Sequence, residues 1–250
     1  GPGLAKSAVA ITIDGVQRDL HDLIDADATV SIITIESDQG IEIMRHTLTA
    51  QVLARAIKNL YPKSKLAIGP TVQDGFYYDV ESEESISSDD LSKIEEEMKK
   101  IIKTKSAITK KLVSKKEALK IFKSNKEPYK EIIINESDQD DNFQLYYQDD
   151  EEFVDLCRGP HLPNLGFIGS FKLTKVSGAY WKGDSKNSML TRIYGTAFSN
   201  DKDLQNHLDN IEEALKRDHR KLGKEMDLFH FQDEAPGMVF WHPNGCLLYT

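Results

Sequence analysis

The chain has 250 residues, of which 39% are hydrophobic and 29% charged, with a net charge of −9. This composition excludes a collagen, a low-complexity chain and a wholly disordered protein, and the length allows a buried core in one or two domains. No apolar run approaches the ~20 residues of a membrane helix, and the first residues lack the order of a signal peptide. Two cysteines are too few for a disulfide framework, which indicates a reducing, cytoplasmic compartment.

The first forty residues predict a small β-rich module. Residues 9–13 alternate apolar with small or polar side chains, Asp14-Gly15 is a hairpin signal, and residues 29–35 predict a further strand. The chain begins without a methionine and ends at Thr250 in the middle of an apolar pattern. We therefore expect a fragment of a longer protein.

The rest of the chain mixes helices and strands. A helix is predicted over residues 42–61, because apolar residues recur at helical spacing and Pro62 ends it. Further helices are predicted from Leu91, where an apolar stripe begins, and from the capping box at Ser114. We predict strands at 67–70, 76–80, 131–134, 144–148, 152–157, 169–175 and 189–194, and one long amphipathic helix at 201–224. The absence of regular βαβ alternation favours an α+β fold, with an antiparallel sheet around a helix.

Charge is unevenly distributed along the chain. Between Lys93 and Lys130 there are 13 lysines and 5 acidic residues, which is typical of either a phosphate-facing surface or a solvated helix face. A second cluster, residues 216–224, mixes arginine, histidine and lysine. It favours contact with RNA, because the guanidinium fork of arginine matches phosphate.

The segment 155–161 (DLCRGPH) is the first candidate for chemistry. Cys157 and His161 lie four residues apart with a Gly-Pro turn between them, so a thiol and an imidazole can converge. The pair could bind zinc, act as nucleophile and base, or position a water, and it could also be a buried structural cysteine beside a loop histidine. His46 at the start of a helix and Lys130 entering a predicted strand carry weaker signals alone.

Two adjacent tyrosines form another candidate. Tyr77 and Tyr78 point to opposite faces of a predicted strand. One ring could therefore pack in the core while the other lines a pocket or stacks on a base. Packing of both rings in the core is the alternative.

Eight motifs then occur in an order typical of one family. They are Arg45-His46, AIGP (67–70), DGFYYD (74–79), VDLCRGPH (154–161), GAYWKGD (178–184), RIYGTAF (192–198), KRDHRK (216–221) and EAPGMVFWH (234–242). Together they resemble the amino-terminal half of bacterial-type threonyl-tRNA synthetases, over nearly the whole chain.

The resemblance implies four parts. They are the end of a β-grasp module at 1–39, a hydrolytic editing domain at 40–199, a linker helix at 200–225 and the truncated start of the aminoacylation domain at 226–250. Zinc, ATP and magnesium are implied only for a catalytic core beyond Thr250, so no cofactor or metal is expected in this chain and it should not form aminoacyl-tRNA. The implied partner is the acceptor arm of tRNA(Thr), with a homodimer for the full-length enzyme, a monomer for this fragment and no membrane.

The need for editing follows from the small chemical difference between serine and threonine. Serine keeps the hydroxyl of threonine and lacks only a methyl group, which is worth only ~1–3 kcal/mol of discrimination. A second site that admits serine and hydrolyses its ester with tRNA supplies the rest.

The resemblance also implies site residues. The family's editing site uses two histidines four apart on a helix, a lysine, an aspartate and the cysteine–histidine pair. By motif the catalytic set is His46, Gln51, Lys130, Asp155, Cys157 and His161, and the substrate-binding set is Tyr77, Gly69 and Pro70. The tRNA-binding set is Arg217, Arg220, Lys221 and Lys224.

The helix departs from the family pattern. The second histidine falls on Gln51, and its spacing from His46 is five residues instead of four. One extra residue rotates an α-helix by about 100°, so the two side chains share a face only if the first turn distorts. Glutamine can bind a water but cannot take its proton, and it is a poor zinc ligand.

Three functions are therefore weighed. The first is a deacylase that hydrolyses Ser-tRNA(Thr), with Cys157 shaping the pocket more than attacking. The second is an editing-defective module that binds the acceptor arm. A free-standing cysteine hydrolase, the third, does not explain the linker helix.

Overall fold

The computed structural model describes residues 1–149 and 153–249. They form two compact units, Gly1–Asp201 and Lys202–Thr250. The predicted mixed α+β class with antiparallel sheets is confirmed. Among the described residues, no helix combines the length and apolar character needed to cross a bilayer.

The first unit begins with a short helix and a three-stranded sheet. Helix α1 (Pro2–Ser7) leads into strands β1 (Ala8–Ile13), β2 (Val16–Asp19) and β3 (Val30–Thr34), which pair antiparallel in the order β2-β1-β3. Asp14 and Gly15 have positive φ at the β1–β2 turn, which confirms the predicted hairpin. Val9, Ala10 and Ile33 from this sheet belong to the same buried cluster as Met44, so the sheet shares the core of the unit.

The predicted helix at 42–61 is a composite of three segments. Helix α2 (Asp38–Thr47) starts at a Ser37 cap and is followed by a π-helical segment (Leu48–Leu53) and helix α3 (Ala54–Leu60). All six residues of the π segment are buried. Because a π turn holds one more residue than an α turn, this segment absorbs an inserted residue within the helix. The anticipated distortion is therefore present, and it lies after His46.

The other elements of the first unit surround this helix. In chain order they are β4 (Lys65–Leu66), β5 (Thr71–Val72), β6 (Gly75–Glu81), α4 (Leu91–Lys103), β7 (Ile108–Val113), α5 (Lys115–Ser124), α6 (Pro128–Glu136), β8 (Phe143–Gln148), β9 (Val154–Leu156), β10 (Ser170–Tyr180) and β11 (Met189–Phe198).

A five-stranded antiparallel sheet is built on β6. Its order is β10-β11-β6-β4, with β5 also paired to β6. The predicted strands at 76–80, 169–175 and 189–194 lie within it, whereas regular pairing beside β6 occurs at 65–66 instead of 67–70. Residues 67–70 still run alongside β6, where the Asp79 amide donates to the Ile68 carbonyl at 2.8 Å.

Another three-stranded sheet of the first unit has the order β7-β8-β9 and carries helices α5 and α6. The predicted strand at 131–134 is wrong, because these residues lie within α6. Pro128 occupies the first turn of α6, where its missing N–H costs nothing, and the packing of Ile134 in the core outweighs the β preference of the three isoleucines. Lys130 therefore projects from a helix. Strand β7 was not predicted, since its two lysines interrupt the apolar alternation, and part of the predicted strand 152–157 lies outside the described residues.

The second unit contains short elements after a long helix. Helix α7 (Asp201–Lys216) leads into α8 (His219–Glu225), β12 (Phe229–His230), β13 (Phe240–Trp241) and α9 (Pro243–Tyr249). The predicted single helix at 201–224 is wrong beyond Lys216. The chain leaves the helix before Asp218, whose side chain then caps α8 by accepting from the Arg220 amide at 2.8 Å.

Candidate functional site

A cavity of about 520 Å³ opens in the first unit between α2, α6 and β9. The helices contribute His46 and Lys130, and β9 with the turn after it contributes Asp155 and Cys157. Gly69 and Pro70 form part of the opposite wall. The structure therefore brings together residues that are up to 111 positions apart in the chain.

A buried ion pair forms the floor of this site. The Lys130 Nζ lies 2.5 Å from the Asp155 Oδ1, and the two side chains are only 4% and 2% exposed. The Tyr78 hydroxyl donates to the second carboxylate oxygen at 3.5 Å. Burial raises the pKa of Asp155, and the Lys130 ammonium opposes that shift. Each charge is therefore held in place by the other.

A thiol and two imidazoles lie beside this pair. The His46 Nε2 is 2.7 Å from the Cys157 Sγ, and the His46 ring stacks on the His161 ring with centroids 4.7 Å apart. Burial lowers the pKa of His46 and of His161, although neighbouring acidic groups favour their charged forms. Neutral imidazoles are proton acceptors, so the two histidine rings can take a proton from water near neutral pH.

The hydroxyl of Thr47 determines which nitrogen of His161 is free. Thr47 Oγ1 donates to the Ile43 carbonyl at 2.9 Å and accepts from the Leu162 amide at 2.9 Å. Its third contact, to His161 Nδ1 at 3.1 Å, must then be accepted from an N–H on that nitrogen. The buried Nε2 of His161 is left as the basic nitrogen, and the Cys157 thiol is the neighbouring group that most favours the charged form of the ring. Thr47 was not predicted as a site residue, and its only sequence signal is its position next to His46.

Gln51 is not brought to the cavity with His46, Lys130, Asp155 and Cys157. Four residues after His46, the cavity lining contains Ala50. The side chain of Gln51 is fully buried, and neither atom of its amide has a hydrogen-bond partner among the described residues. The π segment therefore turns the glutamine into the protein interior.

Replacing Gln51 by methionine should stabilise the chain. Methionine has a similar length and no polar atom to desolvate, and an unsatisfied buried group costs about 1–3 kcal/mol. We expect the midpoint of urea unfolding to rise accordingly.

Gln148 provides the matched control for this substitution. It is equally buried, but its Nε2 donates to the Gln51 carbonyl and its Oε1 accepts from Arg55, both at 2.7 Å. Gln148→Met should therefore lower the midpoint. A loss of stability in Gln51→Met would show that the amide has a polar partner.

Tyr78, and not the expected Tyr77, is the tyrosine beside Asp155, although neither of the two is among the residues that line the cavity. Tyr78 is buried beside Asp155, whereas Tyr77 lies on the other face of β6 under the guanidinium of Arg192, at 3.9 Å. Strand alternation predicts that two neighbours face opposite ways, but only the packed sheet decides which face is the inner one. A Cβ at Gly69 would lie 2.2 Å from the Tyr78 ring, so glycine is required there.

The two histidines and the thiol also form a candidate metal-binding set. One ligand atom from each of His46, Cys157 and His161 lies within 4.8 Å of the others. Three such ligands with an open fourth position are typical of catalytic zinc. A zinc-bound nitrogen and sulfur stand about 3.5 Å apart in tetrahedral geometry, so the 2.7 Å contact of His46 with Cys157 would have to lengthen on binding.

The predicted tRNA-binding cations lie in the second unit. Arg217, Arg220 and Lys221 are exposed, and Arg220 makes a close ion pair with Asp218 at 2.6 Å. Lys224 lines a cavity of about 400 Å³ together with Arg220. Such exposed cations are compatible with phosphate contact and equally with a solvated helix face.

Comparison with known proteins finds one family model that matches part of the first unit. The family model described as the threonyl and alanyl tRNA synthetase second additional domain matches residues 144–194. This region runs from β8 to β11 and includes Asp155, Cys157 and His161.

Two relatives match along the whole length of this chain. The threonine–tRNA ligase of Prochlorococcus marinus (strain MIT 9211) is 50% identical over 249 residues, and that of Hahella chejuensis (strain KCTC 2396) is 51% identical over 249 residues. Each alignment covers 100% of this chain and 39% of the relative. The resemblance of this chain to the amino-terminal part of threonine–tRNA ligases is confirmed.

Proposed function

We propose that this chain is the editing region of a threonine–tRNA ligase, which hydrolyses Ser-tRNA(Thr) and helps to bind the acceptor arm. The observation that carries the proposal is the cavity where His46, Cys157 and the buried Lys130–Asp155 pair meet, with the His161 ring stacked on His46. Hydrolysis of an ester needs a proton acceptor for water and a positive charge near the carbonyl oxygen. The imidazoles of His46 and His161 are the candidate acceptors, and the Lys130 ammonium is the candidate positive charge.

The reaction assigns a role to each group. A water attacks the ester carbonyl and transfers its proton to an imidazole, His161 or His46. The Lys130 ammonium stabilises the negative charge on the carbonyl oxygen, with Asp155 holding Lys130 in place. The ester bond then breaks, the terminal ribose oxygen takes the proton, and serine and free tRNA leave. Cys157 orients His46 through their short contact.

The same proposal assigns the regions of the chain. Residues 1–39 are the β-grasp remnant, 40–199 the editing domain, 200–225 the linker and 226–250 the start of the aminoacylation domain. The partner is the acceptor arm of tRNA(Thr) in the cytoplasm. The chain spans 39% of the length of each of these relatives.

The second candidate is an editing-defective module that only binds tRNA. It is favoured by Ala50 in the cavity wall, where the family pattern has a second histidine, and by the burial of Gln51. An alanine cannot position or deprotonate a water.

Hydrolysis of Ser-tRNA(Thr) and Thr-tRNA(Thr) by this chain separates the two candidates. We expect selective hydrolysis of the serine ester and a loss of about 10²–10⁴-fold in His161→Ala, because a general base contributes that much. His207→Ala, in α7 and outside both the cavity lining and the 216–224 cluster, is the matched control and should leave the rate unchanged. Salt-dependent tRNA binding without hydrolysis would favour the binding module, and the absence of both would contradict both candidates.

A further inference from the structure

The N-terminal sheet reaches the loop that carries His161 through one carboxylate. Asp19 is the last residue of β2. Its Oδ1 accepts from the His161 amide at 2.8 Å, and its Oδ2 accepts from the Tyr146 hydroxyl at 2.7 Å. The Lys110 Nζ pairs with Oδ2 at 2.8 Å. All three partners belong to segments far along the chain, so Asp19 joins the first sheet to the loop that carries His161.

The same contacts determine the surroundings of the His161 ring. The Tyr146 ring packs edge-on against His161 with centroids 4.3 Å apart. A Cβ at Gly159 would lie 2.0 Å from the Tyr146 hydroxyl, so the loop passes this oxygen too closely for a side chain. Asp19 thus holds both the backbone of His161 and the ring that packs against it.

The carboxylate of Asp19 is ionised when it makes these bonds. Burial raises its pKa, but the hydrogen bonds from Lys110, the His161 amide and Tyr146 outweigh burial and hold the pKa below its ordinary value. The side chain is only 14% exposed. Hydrogen bonds to an ionised acceptor are roughly twice as strong as neutral ones, so the arrangement is rigid.

We propose that Asp19 is a positioning residue of the hydrolytic site, which keeps His161 in the orientation where Nδ1 contacts Thr47 and the ring stacks on His46. This inference rests on the proposed function. It makes the N-terminal sheet a part of the editing site, because the sheet supplies the carboxylate that aligns the basic nitrogen. Misplacement of a catalytic group by about 1 Å can cost about 10²-fold in rate, so a residue outside the cavity can affect the chemistry.

Asp19→Asn tests the proposal, with Asp22→Asn as the matched control. Asp22 pairs with the same Lys110 from the same module but has no hydrogen bond to His161 or Tyr146 among the described residues. We expect Asp19→Asn to lower kcat for Ser-tRNA(Thr) hydrolysis by about 10–100-fold with KM nearly unchanged. It should also change the ring ¹⁵N chemical shifts of His161, which report the tautomer. Asp22→Asn should do neither.

Tyr146→Phe is a second, milder variant that tests the proposal even if Asp19→Asn does not fold. It removes one donor to Asp19 and keeps the ring against His161, so a smaller fall in kcat is expected. In the double variant with Asp19→Asn, the two effects should be less than additive, since both act on one contact.

The outcomes separate this inference from the proposed function. Equal behaviour of Asp19→Asn and Asp22→Asn in both measurements would overturn it, as would a fall in rate with unchanged His161 shifts. A wild-type chain without hydrolysis would contradict the proposed function alone, if the His161 shifts still change in Asp19→Asn and not in Asp22→Asn.

Discussion

Lys130→Met should destabilise the chain by about 3–5 kcal/mol and abolish hydrolysis of Ser-tRNA(Thr). The substitution leaves the Asp155 carboxylate buried, 2% exposed, without its cation. The Tyr78 hydroxyl at 3.5 Å is too weak a partner to compensate. Urea unfolding and single-turnover deacylation measure the two effects.

A double variant separates stability from chemistry. In Lys130→Met with Asp155→Leu no buried charge remains, and replacing both members of a buried pair by apolar residues is often neutral or stabilising. We expect most of the stability to return while hydrolysis stays absent. Lys182→Met is the exposed control: the Lys182–Glu136 pair has side chains 43% and 55% exposed, and such pairs contribute about 0–1 kcal/mol. An unchanged unfolding midpoint in Lys130→Met would contradict the buried ion pair.

Deleting Ala50 together with Gln51→His should raise the rate of hydrolysis by about 10²-fold or more. The deletion removes the residue that the π segment accommodates, so an ordinary α-helix can replace Leu48–Leu53. The new histidine then stands four residues after His46 and takes the place that Ala50 has in the cavity wall. A second imidazole there can bind and deprotonate the attacking water.

Gln51→His alone is the control for this deletion. With the π segment intact the imidazole occupies the buried position of Gln51, where it has no partner, so we expect no gain in rate and a loss of about 1–3 kcal/mol in stability. Deletion of Ala50 alone should restore the helix without adding a base. A faster reaction in Gln51→His alone would show that position 51 already reaches the cavity.

Local patterns predicted the elements that local chemistry controls. The Asp14-Gly15 turn and the cap at Ser114 were found, because turn and cap residues act on their immediate neighbours. The strand predicted at 131–134 is wrong. The β preference of three isoleucines is outweighed by Pro128, which favours the first turn of a helix, and by packing in the core. The break after Lys216 was missed, because Asp218 can cap a helix as readily as it can sit inside one.

The site was predicted only as separate motifs. Sequence selected His46, Lys130, Asp155, Cys157 and His161, because their residue types and the family motifs mark them. It selected Tyr77 over Tyr78, and it did not indicate Thr47, Tyr146 or Asp19. These residues act through contacts across the chain, and a hydroxyl or carboxylate far along the sequence carries no local signal of its partner.

The sequence by itself determined the α+β class, the resemblance to threonine–tRNA ligases and the inserted residue before Gln51. Residue types, turn chemistry and motif order are local properties, and they can be read without coordinates. The tertiary structure decided where the insertion goes, which tyrosine faces Asp155 and which nitrogen of His161 is free. Each of these depends on packing between segments that are distant in the chain, which no local sequence pattern contains.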